Sequence, residues 1–133
     1  MNLKVLIVDD DPTIKLLHRA IVVKSNLSAQ PLVFGDGKAA FDYFSTQYDE
    51  NENYLILLDI NMPVMNGWDF LGAIQDFSFA NKLRVIMVTS SVDSADKENA
   101  KQFPQVIGYL EKPLKVDACN FIKTIPAVAP FFA

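Results

Sequence analysis

Residues 3–12 read LKVLIVDDDP, a short apolar run followed by three acids and a proline. A continuous apolar run of this length is typical of a parallel strand that is buried on both faces. Asp11 and Pro12 have the character of a helix start, because an N-cap carboxylate is followed by proline at the first helical position. Apolar residues then recur at helical spacing, at Ile14, Leu17, Ile21 and Val22. The stretch therefore predicts a strand that leads directly into a helix.

This strand–helix unit occurs five times along the 133 residues. The predicted strands are 3–8, 29–34, 54–58, 83–88 and 106–110. The predicted helices are one that begins at Pro12, one that carries Ala40, Phe41 and Phe44, and three more at 68–77, 94–103 and 114–125. Such alternation predicts an α/β fold, in which a doubly wound parallel sheet has helices on both faces.

The composition describes one ordinary soluble domain. Half of the residues are apolar and 21% are charged, which excludes a disordered chain. No apolar run approaches the ~18 residues of a membrane span, and the apolar start is too short for a signal peptide. The net charge of −4, without a basic stripe, argues against direct binding to nucleic acid. A single cysteine, Cys119, cannot form an internal disulfide, which fits a reducing cytoplasm.

Chemically informative residues follow four of the predicted strands. They are Asp9 and Asp10 after the first, Asp59 after the third, Thr89 after the fourth and Lys112 after the fifth. In doubly wound sheets, ligands bind at the carboxyl ends of the strands. Carboxylates crowded together there repel one another, and a hard cation such as Mg²⁺ removes that repulsion. With Lys112 and Thr89 nearby, the Asp59 carboxylate is placed to act as a nucleophile toward a phosphoryl group.

Four stretches, each at a predicted strand end, carry a resemblance to a known family. They are LIVDDDP (6–12), LLDINMPVMNGWD (57–69), VTSS (88–91) and GYLEKPL (108–114). Together they resemble the receiver domain of two-component response regulators, over nearly the whole chain. The resemblance implies a flavodoxin-like fold, whose five parallel strands lie in the order 2-1-3-4-5. From the sequence, a receiver domain is expected over 1–126, followed by an apolar tail over 127–133 and by no output domain.

The resemblance assigns a phosphoacceptor and a metal site. Asp59 matches the phosphoacceptor of the family, and it also serves as a metal ligand. Asp10 matches a direct ligand of Mg²⁺, for which Mn²⁺ can substitute, and Asp9 matches a carboxylate that acts through water. Asn61 is expected to offer its backbone carbonyl to the same ion. Such a domain catalyses only its own phosphorylation and slow dephosphorylation, so conventional enzymatic turnover is not expected.

The resemblance also assigns a switch and a partner face. Thr89 matches the hydroxyl residue that hydrogen-bonds the phosphoryl group, and Lys112 matches the lysine that pairs with that group. Tyr109 matches the aromatic residue that turns inward when the hydroxyl residue moves. The face formed by the fourth helix, the fifth strand and the fifth helix is then expected to change. Its candidate residues are Lys97, Lys101, Gln105, Tyr109, Glu111 and Lys115.

The implied function is that of a response regulator in two-component signal transduction. A sensor histidine kinase or a histidine phosphotransfer protein would donate the phosphoryl group, and an unidentified protein would bind the phosphorylated face. The same residues are compatible with a phosphorelay shuttle or a phosphate sink, in which a second histidine is the next recipient. The expected form is a cytoplasmic monomer or weak dimer that binds neither membranes nor nucleic acid directly.

Two other protein classes place similar residues after parallel strands. Haloacid-dehalogenase-type phosphatases use an aspartate nucleophile with Mg²⁺, but their general acid is a second aspartate two residues on. Asn61 stands at that place, and its amide cannot donate a proton as an acid must. Flavodoxins need a phosphate-binding loop after the first strand, where Asp9, Asp10 and Asp11 would repel the phosphate. Both alternatives are therefore disfavoured.

Several further residues are predicted to be structural. His18 and Cys119 are expected to pack in or beside the core, and Trp68 is expected to pack at the start of the third helix. The tail residues Phe131 and Phe132 lie beyond prolines that prevent continuation of the last helix. They are expected either to fold back onto the domain or to form an exposed apolar handle for a partner.

Overall fold

The computed structural model describes residues 3–91 and 93–133. The strands are β1 (Leu3–Val8), β2 (Leu32–Phe34), β3 (Asn53–Leu58), β4 (Leu83–Thr89) and β5 (Val106–Glu111). The helices are α1 (Pro12–Lys24), α2 (Gly37–Gln47), α3 (Gly67–Ile74), α4 (Ser94–Ala100) and α5 (Val116–Ile122). All five strands are parallel and form one sheet in the order β2-β1-β3-β4-β5. The predicted flavodoxin-like α/β fold is confirmed.

Both faces of the sheet are buried, which explains why the strand sequences are almost entirely apolar. Successive residues of a strand point to opposite faces. Accordingly, Val5 and Ile7 belong to one core cluster, while Leu6 and Val8 belong to the other. The helices α1 and α5 cover the first face, and α2, α3 and α4 cover the second. Because the strands run the same way, their carboxyl ends share one edge of the sheet.

The second strand is shorter than predicted. It spans Leu32–Phe34 rather than 29–34. Pro31, directly before it, has no backbone N–H to donate to a ladder. The backbone N–H of Gln30 instead donates to the Ser28 hydroxyl at 3.3 Å, which forms a local turn.

The third and fourth helices also end earlier than predicted, at Ile74 and Ala100 rather than at Phe77 and Phe103. In both cases the chain continues for three residues through hydrogen bonds that span three residues instead of four. This tightening is common at helix ends, and the apolar pattern alone does not distinguish it from a regular helix. The fifth helix, Val116–Ile122, is shorter at both ends than the predicted 114–125.

The first helix begins as predicted, and Ile21 and Val22 of its predicted apolar face pack in the core, whereas Leu17 does not. The Asp11 carboxylate accepts hydrogen bonds from two backbone N–H groups of the first turn, at 2.9 and 3.2 Å. The buried residues of the helix are His18 and Val22, one turn apart. Leu17, expected in the apolar face, is 40% exposed. His18 occupies the core position one turn before Val22, as expected of a residue that packs in or beside the core.

The C-terminal segment folds back onto the domain. Val128 is fully buried, and Phe132 packs against the same core cluster as α1 and α5. Arg84 of β4 donates its Nε–H to the Ala127 carbonyl at 2.9 Å, and its guanidinium lies over the Phe131 ring. A short 3₁₀ helix, Ala129–Phe132, contains both aromatic residues, separate from α5. Of the two alternatives for this tail, the structure therefore shows the folded-back one.

The other residues predicted to be structural are also packed. Cys119 is fully buried on α5. Trp68 is half-buried at the start of α3, where its ring stacks on Phe103 with centroids 6.2 Å apart. Among the helices of the described residues, none is both long enough and apolar enough to cross a membrane.

Candidate functional site

The sheet brings the predicted site residues together at its carboxyl edge. Each lies at the end of a strand or directly after it: Asp9 after β1, Asp59 after β3, Thr89 at the end of β4 and Lys112 after β5. The sheet's hydrogen bonding continues into the site, because the Asp59 N–H donates to the Val8 carbonyl at 3.0 Å. These backbone positions are therefore fixed by the sheet and not by a loose loop.

A lysine and two buried carboxylates form the centre of the site. The Lys112 Nζ lies 2.6 Å from the Asp9 Oδ2 and 3.0 Å from the Asp59 Oδ2. The side chains of Asp9 and Asp59 are 3% and 5% exposed, and that of Lys112 is 15% exposed. Asp10 is exposed, yet one oxygen of each of the three aspartates lies within 4.8 Å of the others. One ammonium thus contacts two of the three clustered carboxylates.

Backbone N–H groups orient the two buried carboxylates. The Asp9 Oδ1 accepts from the Asp11 N–H at 2.9 Å, and the Asp59 Oδ1 accepts from the Ile60 N–H at 2.8 Å. In each carboxylate the other oxygen faces Lys112. Both are therefore held in one orientation by a fixed donor on one side and the ammonium on the other.

The protonation of the site depends on this charge arrangement. Burial raises the pKa of Asp59, and repulsion from Asp9 raises it further, whereas the hydrogen bond from Lys112 opposes the rise. Burial alone would lower the pKa of Lys112, but its hydrogen bonds to Asp9 and Asp59 outweigh this, and the pKa is raised. Lys112 is therefore an ammonium at neutral pH, and it favours the ionised, nucleophilic form of Asp59.

Thr89 connects the site to the neighbouring helix and strand through Ser91. Thr89 is fully buried, and its Oγ1 accepts from the Ser91 N–H at 3.2 Å. The Ser91 hydroxyl donates to the Asp96 carboxylate of α4 at 2.6 Å. The Ser91 carbonyl accepts a long hydrogen bond, 3.4 Å, from the hydroxyl of Tyr109 on β5. Ser91, which the sequence did not single out for this role, thus contacts both the hydroxyl residue and the aromatic residue of the predicted switch.

The loop after β3 depends on a glycine, Gly67, whose close contact with Asp59 the sequence did not predict. The Gly67 N–H donates to the Ile60 carbonyl at 2.8 Å, which places the start of α3 against the backbone of Asp59. A Cβ atom at Gly67 would lie 2.4 Å from the Asp59 carbonyl oxygen. The contact is with backbone and not with a flexible side chain, so a larger residue must displace Asp59 or the helix.

Gly67→Ala is expected to destabilise the protein by about 1–3 kcal/mol, because the added methyl group overlaps the Asp59 backbone. Gly72→Ala is the matched control: it lies in the same helix, and a Cβ there meets no atom within 4 Å. That variant is expected to be more stable than wild type by roughly 0.5–1 kcal/mol, since alanine favours a helix over glycine. Urea unfolding of both variants measures the difference. Equal stabilities for the two would contradict the proposed close approach.

The remaining site predictions divide between exposed and buried residues. Asn61 lies two residues after Asp59, with its side chain exposed. Of the predicted partner face, Tyr109 is half-buried and four residues are exposed, namely Lys97, Lys101, Glu111 and Lys115. Gln105 is 3% exposed, and its side-chain amide pairs with that of Gln75 at 2.8 and 3.2 Å. The prediction that Gln105 contributes to an exposed face is therefore wrong, because this pairing turns its side chain inward.

His18, a buried histidine beside the site, predicts a pH dependence of stability. Burial lowers the pKa of His18 below its ordinary value of 6.5; Asp9 opposes this shift and Lys112 adds to it. As the pH falls through 6.5, the unfolded chain therefore takes up a proton before the folded protein does, and the free energy of unfolding decreases. His18→Gln removes this titration. Between pH 7.5 and about 5, the free energy of unfolding should fall more steeply with decreasing pH for wild type than for His18→Gln. Parallel curves would show that His18 does not cause the pH dependence.

Comparison with known proteins identifies the family. The family model described as the response regulator receiver domain matches residues 5–120 of this chain. A probable chemotaxis protein CheY of Rhizobium etli is 30% identical over 87% of this chain and 85% of its own length. The regulatory protein VanRB of Enterococcus faecalis is 29% identical over 87% of this chain, which covers 48% of that protein. Relatives that are sensor kinases match over a small share of their length.

The solved structures agree with this result. The crystal structure of a two-component response regulator from Cytophaga hutchinsonii has a TM-score of 0.81 to this chain at 28% identity, and the match covers 91% of this chain and 93% of that one. The agreement in fold therefore extends over about nine-tenths of this chain. The family is a signalling domain and not a conventional enzyme. The chain belongs to the response regulator receiver domain family.

Proposed function

We propose that this protein accepts a phosphoryl group on Asp59 from the phosphohistidine of a sensor kinase or a phosphotransfer protein in the cytoplasm. The observation that carries the proposal is the contact of one ammonium, that of Lys112, with two buried carboxylates, at 2.6 and 3.0 Å. Thr89 ends the adjacent strand, so a hydroxyl lies at the same edge of the sheet. Relatives that include a response regulator, a sensor kinase/phosphatase and a hybrid histidine kinase support a kinase as the donor.

The reaction needs only an ionised carboxylate and stabilised charge. An oxygen of Asp59 forms a bond to phosphorus while the bond from phosphorus to the donor's imidazole nitrogen breaks. The imidazole leaves with the electron pair and takes up a proton. Lys112 and the Thr89 hydroxyl then lie where the oxygens of the bound phosphoryl group would carry negative charge. The product is an aspartyl phosphate, and its hydrolysis by water returns the carboxylate.

The three aspartates fit a divalent cation. Mg²⁺ prefers oxygen ligands and retains several waters, and Asp9, Asp10 and Asp59 offer three carboxylate oxygens within 4.8 Å of one another. We assign Asp10 and Asp59 as direct ligands, with the Asn61 backbone carbonyl as a third and Asp9 acting through water; Mn²⁺ suits the same oxygens. When bound, the ion neutralises negative charge on the phosphoryl oxygens.

Phosphorylation would be transmitted through Ser91. A phosphoryl group on Asp59 adds charge that attracts the Thr89 hydroxyl, and Thr89 is hydrogen-bonded to Ser91. Because Ser91 also bonds Asp96 of α4 and accepts from Tyr109 of β5, movement of Thr89 changes both elements. The long Tyr109 bond, 3.4 Å, is the weakest of the three and the first expected to be lost. The switch is then a population shift between two arrangements of this network.

The partner face lies where α4 meets β5. A groove of about 300 Å³ there is lined by residues of both elements. Lys97 lies over the Tyr109 ring, with its Nζ 5.7 Å from the ring centroid, so rotation of Tyr109 changes both the groove and its charge. We assign this face, with Lys101, Glu111 and Lys115 around it, to a downstream protein. A phosphorelay shuttle or sink would use the same site and differ only in the recipient.

Intact-mass measurement after incubation with acetyl phosphate tests the proposal. In the presence of Mg²⁺ we expect a single phosphoryl adduct, which chelation of the metal prevents. Peptide mapping of the adduct should place it on Asp59, and hydroxylamine should remove it, as expected for an acyl phosphate. No adduct from either acetyl phosphate or a phosphorylated kinase would contradict the proposal, as would an adduct on another residue.

A further inference from the structure

His18 is a buried titratable residue for which the proposed chemistry has no use. It is 2% exposed and lies on α1, on the side that faces the core. Its Nε2 accepts a hydrogen bond from the backbone N–H of Leu114 at 3.0 Å, in a buried environment. This bond joins the first helix to the segment Lys112–Leu114, which is part of the connection between β5 and α5.

The bond holds the segment that carries the site lysine. The Lys112 N–H donates to the Thr89 carbonyl at 2.9 Å, so β4 holds one end of the segment. Pro113 has no N–H, and Leu114 is therefore the next residue that can donate. The Leu114 N–H donates to the Nε2 of His18. Both backbone donors of the segment thus have fixed partners, one in the sheet and one in α1.

We infer that His18 is a positioning residue for Lys112, holding the lysine's backbone so that its ammonium reaches both carboxylates at once. The inference rests on the proposed function, because it assigns to His18 an effect on the phosphorylation of Asp59. Lys112 sits two residues from the His18 bond, and its Nζ must satisfy two contacts, at 2.6 and 3.0 Å. A small movement of the segment lengthens at least one of them.

The chemistry of the imidazole supports this role. To accept from Leu114, the Nε2 must be unprotonated, so the neutral ring carries its proton on Nδ1. Burial keeps the ring neutral, since it lowers the pKa of His18. Leu114 is itself 2% exposed, so without an acceptor its N–H has no water to replace His18. The segment would then move to find another partner.

Three variants test the inference. His18→Leu fills the core position but cannot accept a hydrogen bond, whereas His18→Gln offers a side-chain oxygen in a similar place. Val22→Ala is the control for α1 packing, because Val22 is buried one turn along the same helix. Initial rates of phosphorylation are measured over a range of acetyl phosphate concentrations with saturating Mg²⁺. Amide hydrogen exchange of Leu114 is measured in parallel.

We expect His18→Leu to lower the limiting rate about 10-fold, because misplaced catalytic groups slow the reacting step. His18→Gln is expected to recover most of that loss, and Val22→Ala to keep the wild-type rate even if its stability falls. Leu114 exchange should become faster in His18→Leu by more than its loss of stability accounts for, and in Val22→Ala by no more than that loss. The inference is overturned if His18→Leu reacts like wild type, or if all three variants slow in proportion to their loss of stability.

A double-mutant cycle separates failure of this inference from failure of the proposed function. If wild type itself accepts no phosphoryl group, the function fails and the rates carry no information about His18. Unfolding free energies of His18→Leu, Lys112→Met and the double variant then decide the question. Coupling between the two substitutions supports the positioning role, and strict additivity overturns it.

Discussion

Asp59→Asn is expected to abolish the phosphoryl adduct completely. In wild type, Asp59 is the carboxylate that Lys112 and the Ile60 N–H hold at the edge of the sheet. The substitution replaces this carboxylate by an amide, whose oxygen is a poor nucleophile. The fold should survive, because burial and repulsion from Asp9 already disfavour the charge on Asp59. We therefore expect a melting temperature equal to or above that of wild type. The two measurements are intact mass after acetyl phosphate with Mg²⁺ and thermal unfolding.

Asp76→Asn is the matched control for this substitution. Asp76 is an exposed aspartate just beyond α3, so its loss removes the same charge away from the site. This variant should accept one phosphoryl group, as wild type does. Retention of the adduct in Asp59→Asn would move the phosphoacceptor to another residue, with Asp9 and Asp10 as the nearest carboxylates.

Lys112→Met is expected to slow phosphorylation by roughly 10²–10³-fold, the range seen when one preorganised charge-stabilising group is removed. The substitution also leaves two nearly buried carboxylates without their shared cation. Removing one partner of a buried ion pair typically costs about 3–5 kcal/mol, and the partial exposure of Lys112 places the expected loss at the lower end. Urea unfolding and the rate of adduct formation measure the two effects.

Lys115→Met provides the comparison for Lys112→Met. Lys115 is an exposed lysine directly before α5, in the same connecting segment. It should change stability by less than about 0.5 kcal/mol, as is usual for surface substitutions, and leave the rate of phosphorylation unchanged. If the two lysine variants behave alike, the contacts of Lys112 with the carboxylates make no net contribution to stability or to the rate of phosphorylation.

Added Mg²⁺ should restore part of the stability of Lys112→Met, because a cation again faces the aspartates.

The residues at the strand ends could be predicted from the sequence because each follows a recognisable apolar strand. Parallel strands bring their carboxyl ends to one edge, so Asp9, Asp59, Thr89 and Lys112 converge once the alternation of strands and helices is recognised. No knowledge of side-chain packing is needed for that step. The bounds of the helices were less predictable, because α3 and α4 each end in a tightened turn with the same apolar spacing as a helix.

The missed features depend on contacts between residues far apart in the sequence. Gln105 faces inward because it pairs with Gln75, thirty positions away. The register between β4 and β5 also shifts just after Val85, whose N–H donates to the Gln105 carbonyl. The core packing of His18 was expected, but its hydrogen-bond partner was not, because the imidazole accepts from a residue 96 positions away. Periodicity assigns polar residues to the surface, so it cannot detect a polar side chain whose partner lies on another element.

The folded-back C-terminal segment affects where the protein can be truncated. The family match ends at residue 120, but Ile122 and Val128 lie beyond it and are both fully buried. Cutting the chain at residue 120 would therefore expose apolar surface on α1 and the sheet, at about 1.5–3 kcal/mol for each lost side chain. It would also remove the carbonyl that Arg84 binds. A label or fusion partner attached after Ala133 keeps these contacts and, because Phe131 and Phe132 lie beside the first residues of β1, sits at the opposite end of the sheet from Asp59.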